Sequence, residues 1–279
     1  DNPLPGGISN LQEYRYVAQV MQGMNLFLHK TPYIVQLFLV NSIIADVPYF
    51  RRLLSKRPNA GIVVIVAENV DSLQMVCAEM NRSYMFINYP SEFDITDHYL
   101  ISLNTDHVTK EVVSYLYKLG HRRIGYIHGF LSYKIGLDRL NKYYDGLDAV
   151  GLPLDQKLVV AGNWQEKGGY SAAQELLTLE DKPTAIIAAN DRMALGAMQA
   201  IKEHGLCVPQ DVSVVGFDDI ADTTQSIPTL STVHQPLTQI GSTAAEYMIA
   251  LLEGNTPEPR HVYLPVEFII RDSISVPPS

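Results

Sequence analysis

The sequence predicts an α/β fold in which buried parallel strands alternate with helices, and three observations lead to this prediction. Residues 185–189 and 212–215 are short apolar runs, typical of strands covered on both faces. Between them, apolar residues recur at helical spacing until Gly205. Each run is followed by polar residues, at the edge where open α/β sheets bind ligands.

The same alternation extends along the rest of the chain. Apolar periodicity predicts helices over residues 14–28, 48–54, 73–80, 109–119, 137–150, 168–179 and 237–257. Gly120 and Gly151 end two of them. Strands are predicted over residues 33–40, 61–67, 84–88, 101–103, 123–128 and 158–161. Strands that alternate with helices in this way are typical of parallel sheets with crossover helices.

Composition narrows the possible functions. A chain of 279 residues with 47% hydrophobic residues can form two cores. No run of eighteen apolar residues predicts a membrane span, and residues 1–7 lack the pattern of a signal peptide. Cys77 and Cys207 lie far apart, which favours free thiols and a cytoplasmic location. The net charge of −9 argues against nucleic-acid binding by this chain alone.

The chain carries no pattern that predicts catalysis. GxSxG, P-loop, HExxH and CxxC motifs are absent, and the eight histidines show no metal-ligand spacing. Asp218 and Asp219 are paired carboxylates, but adjacent residues at a strand end point in opposite directions, unlike a catalytic acid and base. We therefore expect no enzyme activity, no cofactor and no metal.

Residues 189–220, ANDRMALGAMQAIKEHGLCVPQDVSVVGFDDI, allow a closer comparison with known families. They resemble the effector-binding core of the lactose and galactose repressor family of bacterial transcription regulators. LGHRRIGYIHG at 119–129, LSTVHQP at 230–236 and FIIRDS at 268–273 resemble the same family's signatures in the same order. The first hundred residues match weakly.

The resemblance implies a periplasmic-binding-protein-like fold of type I, with two doubly wound parallel-sheet subdomains and a ligand cleft between them. Residues 1–128 with 237–257 are expected in the N-terminal subdomain, and 129–236 with 258–279 in the C-terminal one. The resemblance also implies a DNA-binding headpiece that is missing from this chain. The family's first strand is missing as well, so we expect further residues before Asp1 in the natural protein.

The resemblance also nominates an arginine for the ligand site. A sugar receptor needs carboxylates, amides and a guanidinium, with an aromatic face for the C–H surface. The family's arginine precedes the glycine of AxGLPLD by twelve residues, and counting back from Gly151 identifies Arg139. Lys142 stands where the family commonly has glycine.

Two polar pairs follow the strands at 185–189 and 212–215. Asp218 matches the first aspartate of the family's GFDD and is expected to accept hydrogen bonds from ligand hydroxyls, whereas Asp219 orients the loop. Asn190 resembles a ligand-facing amide. For Asp191 we favour capping of the helix that begins at Arg192.

Five further residues are candidates for the walls of the pocket. Trp164, in GNWQEKGGY, occupies a position that the family uses for an aromatic wall. Asp106 resembles the aspartate after the family's fourth strand on the opposite half, or is a helix N-cap. Gln235, at an expected crossover, contacts the ligand or serves only the hinge. Phe130 and Tyr133 follow the first crossover and are expected to shape the pocket.

The function implied is a ligand-sensing module of a transcription regulator. A small effector, a sugar by this interpretation, would favour one orientation of the two halves and so change operator affinity in a homodimer. The helices at 14–28 and 48–54 are candidates for the dimer interface. The alternatives are a periplasmic sugar-binding protein of a transporter, a regulator that senses a purine or other nucleobase, and an enzyme of related fold.

Overall fold

The computed structural model describes residues 11–38, 43–65, 70–88, 98–132 and 134–278. The chain divides into two compact units. The first unit contains Asp1–Leu103 and Pro236–Leu264, and the second unit contains Asn104–Gln235 and Pro265–Ser279. Both are built from helices and a parallel sheet, which confirms the predicted α/β class.

The first unit has a sheet with helices packed against it. Its described helices are α1 (Leu11–Leu28), α2 (Ile43–Ser55), α3 (Val70–Glu79) and α8 (Leu237–Leu252). Its strands are β1 (Ile62–Ile65), β2 (Tyr84–Ile87), β3 (Tyr99–Asn104) and β9 (His261–Pro265), in the spatial order β1-β2-β3-β9. β1 pairs with β2, and β2 with β3, in parallel.

Helices α1 and α8 approach each other closely in the first unit because small residues line their contact. A Cβ atom on Gly23 would lie 1.8 Å from the carbonyl oxygen of Thr238, and one on Gly241 would lie 1.9 Å from that of Val20. Apolar side chains of both helices then pack on the sheet, with Val20 and Ile240 fully buried. This packing gives the first unit its larger core cluster.

The second unit contains the elements that carry the candidate site. Its helices are α4 (Val108–Leu119), α5 (Lys134–Ala149), α6 (Glu166–Leu177) and α7 (Asp191–Glu203). Its parallel sheet contains β4 (Ile124–His128), β5 (Val159–Ala161), β6 (Ala185–Ala188) and β7 (Ser213–Val215), in the order β5-β4-β6-β7. β8 (Thr232–His234) and β10 (Glu267–Ile269) form an antiparallel pair.

Central strands of the second unit are buried along their whole length, as the apolar runs predict. Every residue of β6 is buried. Helices α6 and α7 meet through Gly169 and Gly196, where an added Cβ would lie 2.1 Å from the Met193 carbonyl oxygen and 2.0 Å from that of Glu166, respectively. Short side chains at these two positions therefore set the distance between the helices.

Two expectations from the sequence differ from the structure. Residues 104–128 belong with the second unit, because β4 pairs with β5 and β6, and residues 258–264 belong with the first unit, where β9 joins β3. Residues 33–38 form no strand, although Tyr33 and Val35 pack on the core of the first unit. Alternating apolar residues favour extended backbone, but a strand also needs a neighbour that supplies hydrogen bonds. Residues 39–40 of that predicted strand lie outside the described residues.

No helix in the described part of the chain is both long and apolar enough to cross a membrane.

Candidate functional site

The candidate site lies at the carboxyl ends of the parallel strands in the second unit. Gly129 follows β4, Trp164 follows β5 by three residues, Asn190 follows β6, and Asp218 follows β7. Because the four strands are neighbours in one parallel sheet, these segments meet at one edge. The sequence predicted this placement from the polar residues after each apolar run.

Arg139, on α5, is held by several groups of the second unit. Its Nη2 donates to Oδ1 of Asp218 at 3.3 Å, and its Nη1 donates to the carbonyl oxygen of Ala189. Its guanidinium carbon lies 3.8 Å from the ring centroid of Phe217 and 5.9 Å from that of Trp164. These contacts fix the plane of the guanidinium, which is the condition for directional binding of oxygen acceptors.

Trp164 forms an aromatic wall beside that guanidinium. Its ring lies against Gly129, where an added Cβ would lie 2.0 Å from Cε2 of the indole. Its backbone has a φ of 64°, in the left-handed region that few non-glycine residues adopt. The indole Nε1 is buried and has no hydrogen-bond partner among the described residues. Glycine at 129 is thus needed for the ring to take this place.

Asp218 accepts two hydrogen bonds at one carboxylate oxygen. Nε2 of Gln235 donates to its Oδ1 at 2.6 Å, in addition to the bond from Arg139. Both Asp218 and Asp219 have positive φ, 117° and 58°. Such conformations cost free energy in non-glycine residues and persist where surrounding contacts hold them.

Asp219 supplies much of that restraint. Its carboxylate accepts from Nη2 of Arg271 at 2.6 Å and from Nδ1 of His234 at 2.9 Å. Burial raises the pKa of Asp219, but the hydrogen bonds and positive charge of Arg271, with His234, outweigh it and hold the pKa below its ordinary value. These are the contacts of a residue that orients the loop, the role the sequence suggested.

Asn190 caps α7, which corrects the sequence-based assignment of that role to Asp191. Asn190 Oδ1 accepts from the backbone N–H of Met193 at 2.9 Å, and its Nδ2 donates to the carbonyl oxygen of Trp164 at 3.0 Å. Asp191 is instead the first residue of the helix, because extended backbone at Asn190 suits the cap position. The expected ligand contact of Asn190 stays a prediction.

Asp191 has a structural role in the same region. It is fully buried, and its carboxyl oxygens accept from the N–H of Ile220 at 2.9 Å and from the hydroxyl of Thr232. Burial and the nearby negative charge of Asp218 raise the pKa of Asp191 above its ordinary value. Asp191 therefore joins α7 to the loop that carries Asp218.

Lys142 lies one turn after Arg139 on α5 and connects to the segment before α4. Its Nζ donates to Oγ1 of Thr105 at 2.8 Å and lies 3.0 Å from Oδ1 of Asp106. The Asp106 side chain is 89% exposed. The N-cap of α4 is His107, so Asp106 does not take the capping role that was its alternative.

The remaining candidates differ in their surroundings. Gln235 is buried and bound to Asp218, whereas Phe130 lies 44% exposed in the loop after β4. Tyr133 lies outside the described residues. Among the described residues no three His, Cys, Asp or Glu side chains come together in a group that could hold a metal ion.

Sequence reasoning missed Phe217, whose ring lies under the Arg139 guanidinium, and the ion pair of Arg271 with Asp219. A signal for Phe217 was present, because it separates the apolar strand from Asp218. No local pattern could have paired Arg271 with a residue about fifty positions away.

A family model for the periplasmic binding protein-like domain matches residues 113–274, more than half of the chain. The sheet, the order of its strands and the residues at their carboxyl ends lie within this match. Fold and site together define a domain of that class.

Relatives place the chain more closely. A probable HTH-type transcriptional repressor of Bacillus subtilis, ExuR, is 32% identical over 217 residues, 77% of this chain and 64% of the relative. The regulator CelR in complex with cellobiose has a TM-score of 0.81 at 26% identity and covers 95% of this chain and 81% of that one. The Lac repressor dimer bound to operator and the anti-inducer ONPF has a TM-score of 0.79 at 26% identity, covering 93% and 90%. The chain belongs to the lactose and galactose repressor family of transcription regulators.

Proposed function

We propose that this chain is the effector-binding core of a bacterial transcription regulator and that its effector is a sugar. The observation that carries the proposal is the cluster at Asp218, where Arg139 and Gln235 donate to one carboxylate oxygen beside the indole of Trp164. A sugar hydroxyl both donates and accepts, so a carboxylate next to a guanidinium and an amide can bind it in both senses. The aromatic ring suits the C–H face of the sugar.

The names of the relatives support this proposal. ExuR is named as a repressor, and CelR was solved with cellobiose, a sugar. The chain spans 64% of the length of ExuR, so the remainder of a full-length regulator lies outside it. We propose that operator DNA is bound by such a headpiece and not by this chain, whose net charge is −9.

The proposed mechanism is a shift of population. Effector bound by Arg139, Asp218 and the residues around them stabilises one relative orientation of the two units, and in a homodimer this orientation sets the spacing of the headpieces. The chain performs no chemistry on its ligand, and it acts in the cytoplasm, where the operator is. Domain organisation and dimerisation are part of the proposal.

Thermal-shift and calorimetric titrations with sugars and nucleobases test the proposal. A true effector raises the melting temperature in proportion to its saturation of the folded state. Because Arg139 and Asp218 make charged hydrogen bonds, Arg139→Met and Asp218→Asn should each weaken sugar binding at least about tenfold. Lys182→Met, an exposed residue of the same unit, is the matched control and should change nothing. A response to nucleobases alone would replace the sugar with a purine-like effector, and turnover of a bound sugar would overturn the proposal.

A further inference from the structure

Two cationic side chains leave α5 at the same level of the second unit. Arg139 and Lys142 are three residues apart, a spacing that places both on one face of a helix. The Arg139 side chain is 11% exposed and the Lys142 side chain 21% exposed. Each already pairs with one carboxylate, Asp218 and Asp106 respectively.

The charges of these four side chains cancel. Without Lys142, the set would carry one net negative charge, which would repel an anionic ligand. With Lys142 present, an anion meets a neutral set that includes two cations. Lys142 therefore changes the class of ligand that the candidate site tolerates.

The pairing of Lys142 with Asp106 is easily exchanged. Asp106 is 89% exposed, and an ion pair with such an exposed partner contributes little stability. A carboxylate or phosphate of a ligand can therefore replace Asp106 as the partner of Lys142 while Asp106 returns to water. Arg139 differs, because Phe217 and the Ala189 carbonyl hold its guanidinium in place.

Donors also exceed acceptors around Arg139. Its Nε and the indole Nε1 of Trp164 are both buried without a hydrogen-bond partner among the described residues. Buried donors in folded proteins are rarely left unpaired, and a charged acceptor forms the stronger bond. An acceptor-rich ligand is the complement of this arrangement.

We infer that the effector is a sugar that carries one anionic group, a carboxylate or a phosphate, and that Lys142 with Arg139 binds this group. The inference rests on the proposed function and names the class of sugar. It makes Lys142 a specificity-determining residue, since the polar contacts to neutral hydroxyls come from Asp218 and Gln235.

Matched pairs of sugars test the inference on the whole chain by titration calorimetry. Galacturonate is compared with galactose, glucuronate with glucose, and glucose 6-phosphate with glucose, each at low and high KCl. We expect an anionic sugar to bind at least about tenfold more tightly than its neutral counterpart, since a hydrogen bond to a charged acceptor replaces a neutral one. Added KCl should reduce that preference. The uronate and phosphate arms distinguish the two anionic groups.

Variants at Lys142 separate charge from packing. Lys142→Met keeps the length of the side chain and should remove the preference for the anionic sugar, while affinity for the neutral sugar stays within about twofold because only an ionic contact is lost. Lys142→Arg should retain the preference. Lys182→Met removes the same charge from an exposed position of the second unit and should alter neither affinity.

The outcomes separate the inference from the proposed function. If neutral sugars bind at least as tightly as the anionic ones, with dependence on Arg139, the inference is wrong and the sugar proposal stands. The inference also fails if Lys142→Met leaves the anionic preference intact. If neither kind of sugar binds, both the inference and the sugar proposal fail.

Discussion

Arg271 and Asp219 form a short ion pair next to the candidate site, with Nη2 of the arginine 2.6 Å from Oδ1 of the aspartate. The two side chains are only 17% and 18% exposed. Through Nη1, Arg271 also donates to the carbonyl oxygen of Leu230 at 2.7 Å. Arg271 therefore ties the turn that presents Asp218 to the segment before β8.

Replacing Arg271 should destabilise the second unit. Arg271→Met leaves the Asp219 carboxylate and the Leu230 carbonyl without their strongest donor, so we expect a loss of about 3 kcal/mol in the free energy of unfolding. Urea unfolding followed by circular dichroism measures it. Adding Asp219→Asn to the variant should recover part of the loss, because the two side chains are coupled. A cost of Arg271→Met no larger than that of Lys182→Met would show that the pair contributes nothing.

Trp164 is the only tryptophan of the chain, so its fluorescence reports on the candidate site directly. Gly129→Ala introduces a Cβ that would lie 2.0 Å from the indole ring. The ring must move, and we expect a changed emission maximum together with a loss of about 1 to 3 kcal/mol in stability from overpacking. Gly151→Ala is the control for the loss of a glycine, since no atom lies within 4 Å of a Cβ there. An emission spectrum unchanged in Gly129→Ala would contradict the contact between residue 129 and the indole.

The fold class and the edge that bears the site could be predicted from the sequence, because both follow from local patterns. Apolar runs such as 185–189 mark buried strands, and the polar residues that follow them must lie at one edge of a parallel sheet. The assignment of residues 33–40 as a strand could not be checked in the same way. Strand formation there depends on a neighbour that the local pattern does not identify.

The detailed roles of polar residues were harder to predict. Asn190 and Asp191 are adjacent and both can cap a helix, and only the backbone conformation decides between them. Phe217 supports Arg139 from another segment of the chain, and Lys142 reaches Asp106 across about thirty-six positions. Contacts of this kind depend on the packing of elements, which periodicity does not contain.

The two bonds of Asn190 can be separated by substitution. Asn190→Ser keeps an oxygen for the N–H of Met193 but loses the donor to the Trp164 carbonyl. Asn190→Ala loses both bonds. We expect the alanine variant to be less stable than the serine variant by about 1 kcal/mol, the usual contribution of an N-cap. Chemical denaturation of the two variants measures this difference. Equal stabilities would mean that the cap bond to Met193 adds nothing.

His121 is buried where its ring joins the C-terminal segment to the sheet of the second unit. Nε2 lies 2.9 Å from the carbonyl oxygen of Ser275 and must donate to it, so Nδ1 accepts from the hydroxyl of Thr184 at 2.8 Å. Burial lowers the pKa of His121, partly opposed by the bond to Ser275, and Arg122 lowers it further. The folded state therefore favours the neutral imidazole.

Stability should accordingly fall as pH decreases through about 6.5, the ordinary pKa of histidine in an unfolded chain. Below that pH the unfolded chain binds a proton that the folded chain takes up only at its lower pKa, so protonation favours unfolding. Asp191, whose pKa burial raises, acts in the opposite direction over part of this range, because its neutral form is favoured in the folded state. The contribution of His121 is thus the difference between wild type and His121→Gln at each pH. Urea midpoints at pH 8 and pH 5.5 should show a smaller pH-dependent loss in the variant, and an equal loss in both proteins would contradict a neutral, buried His121.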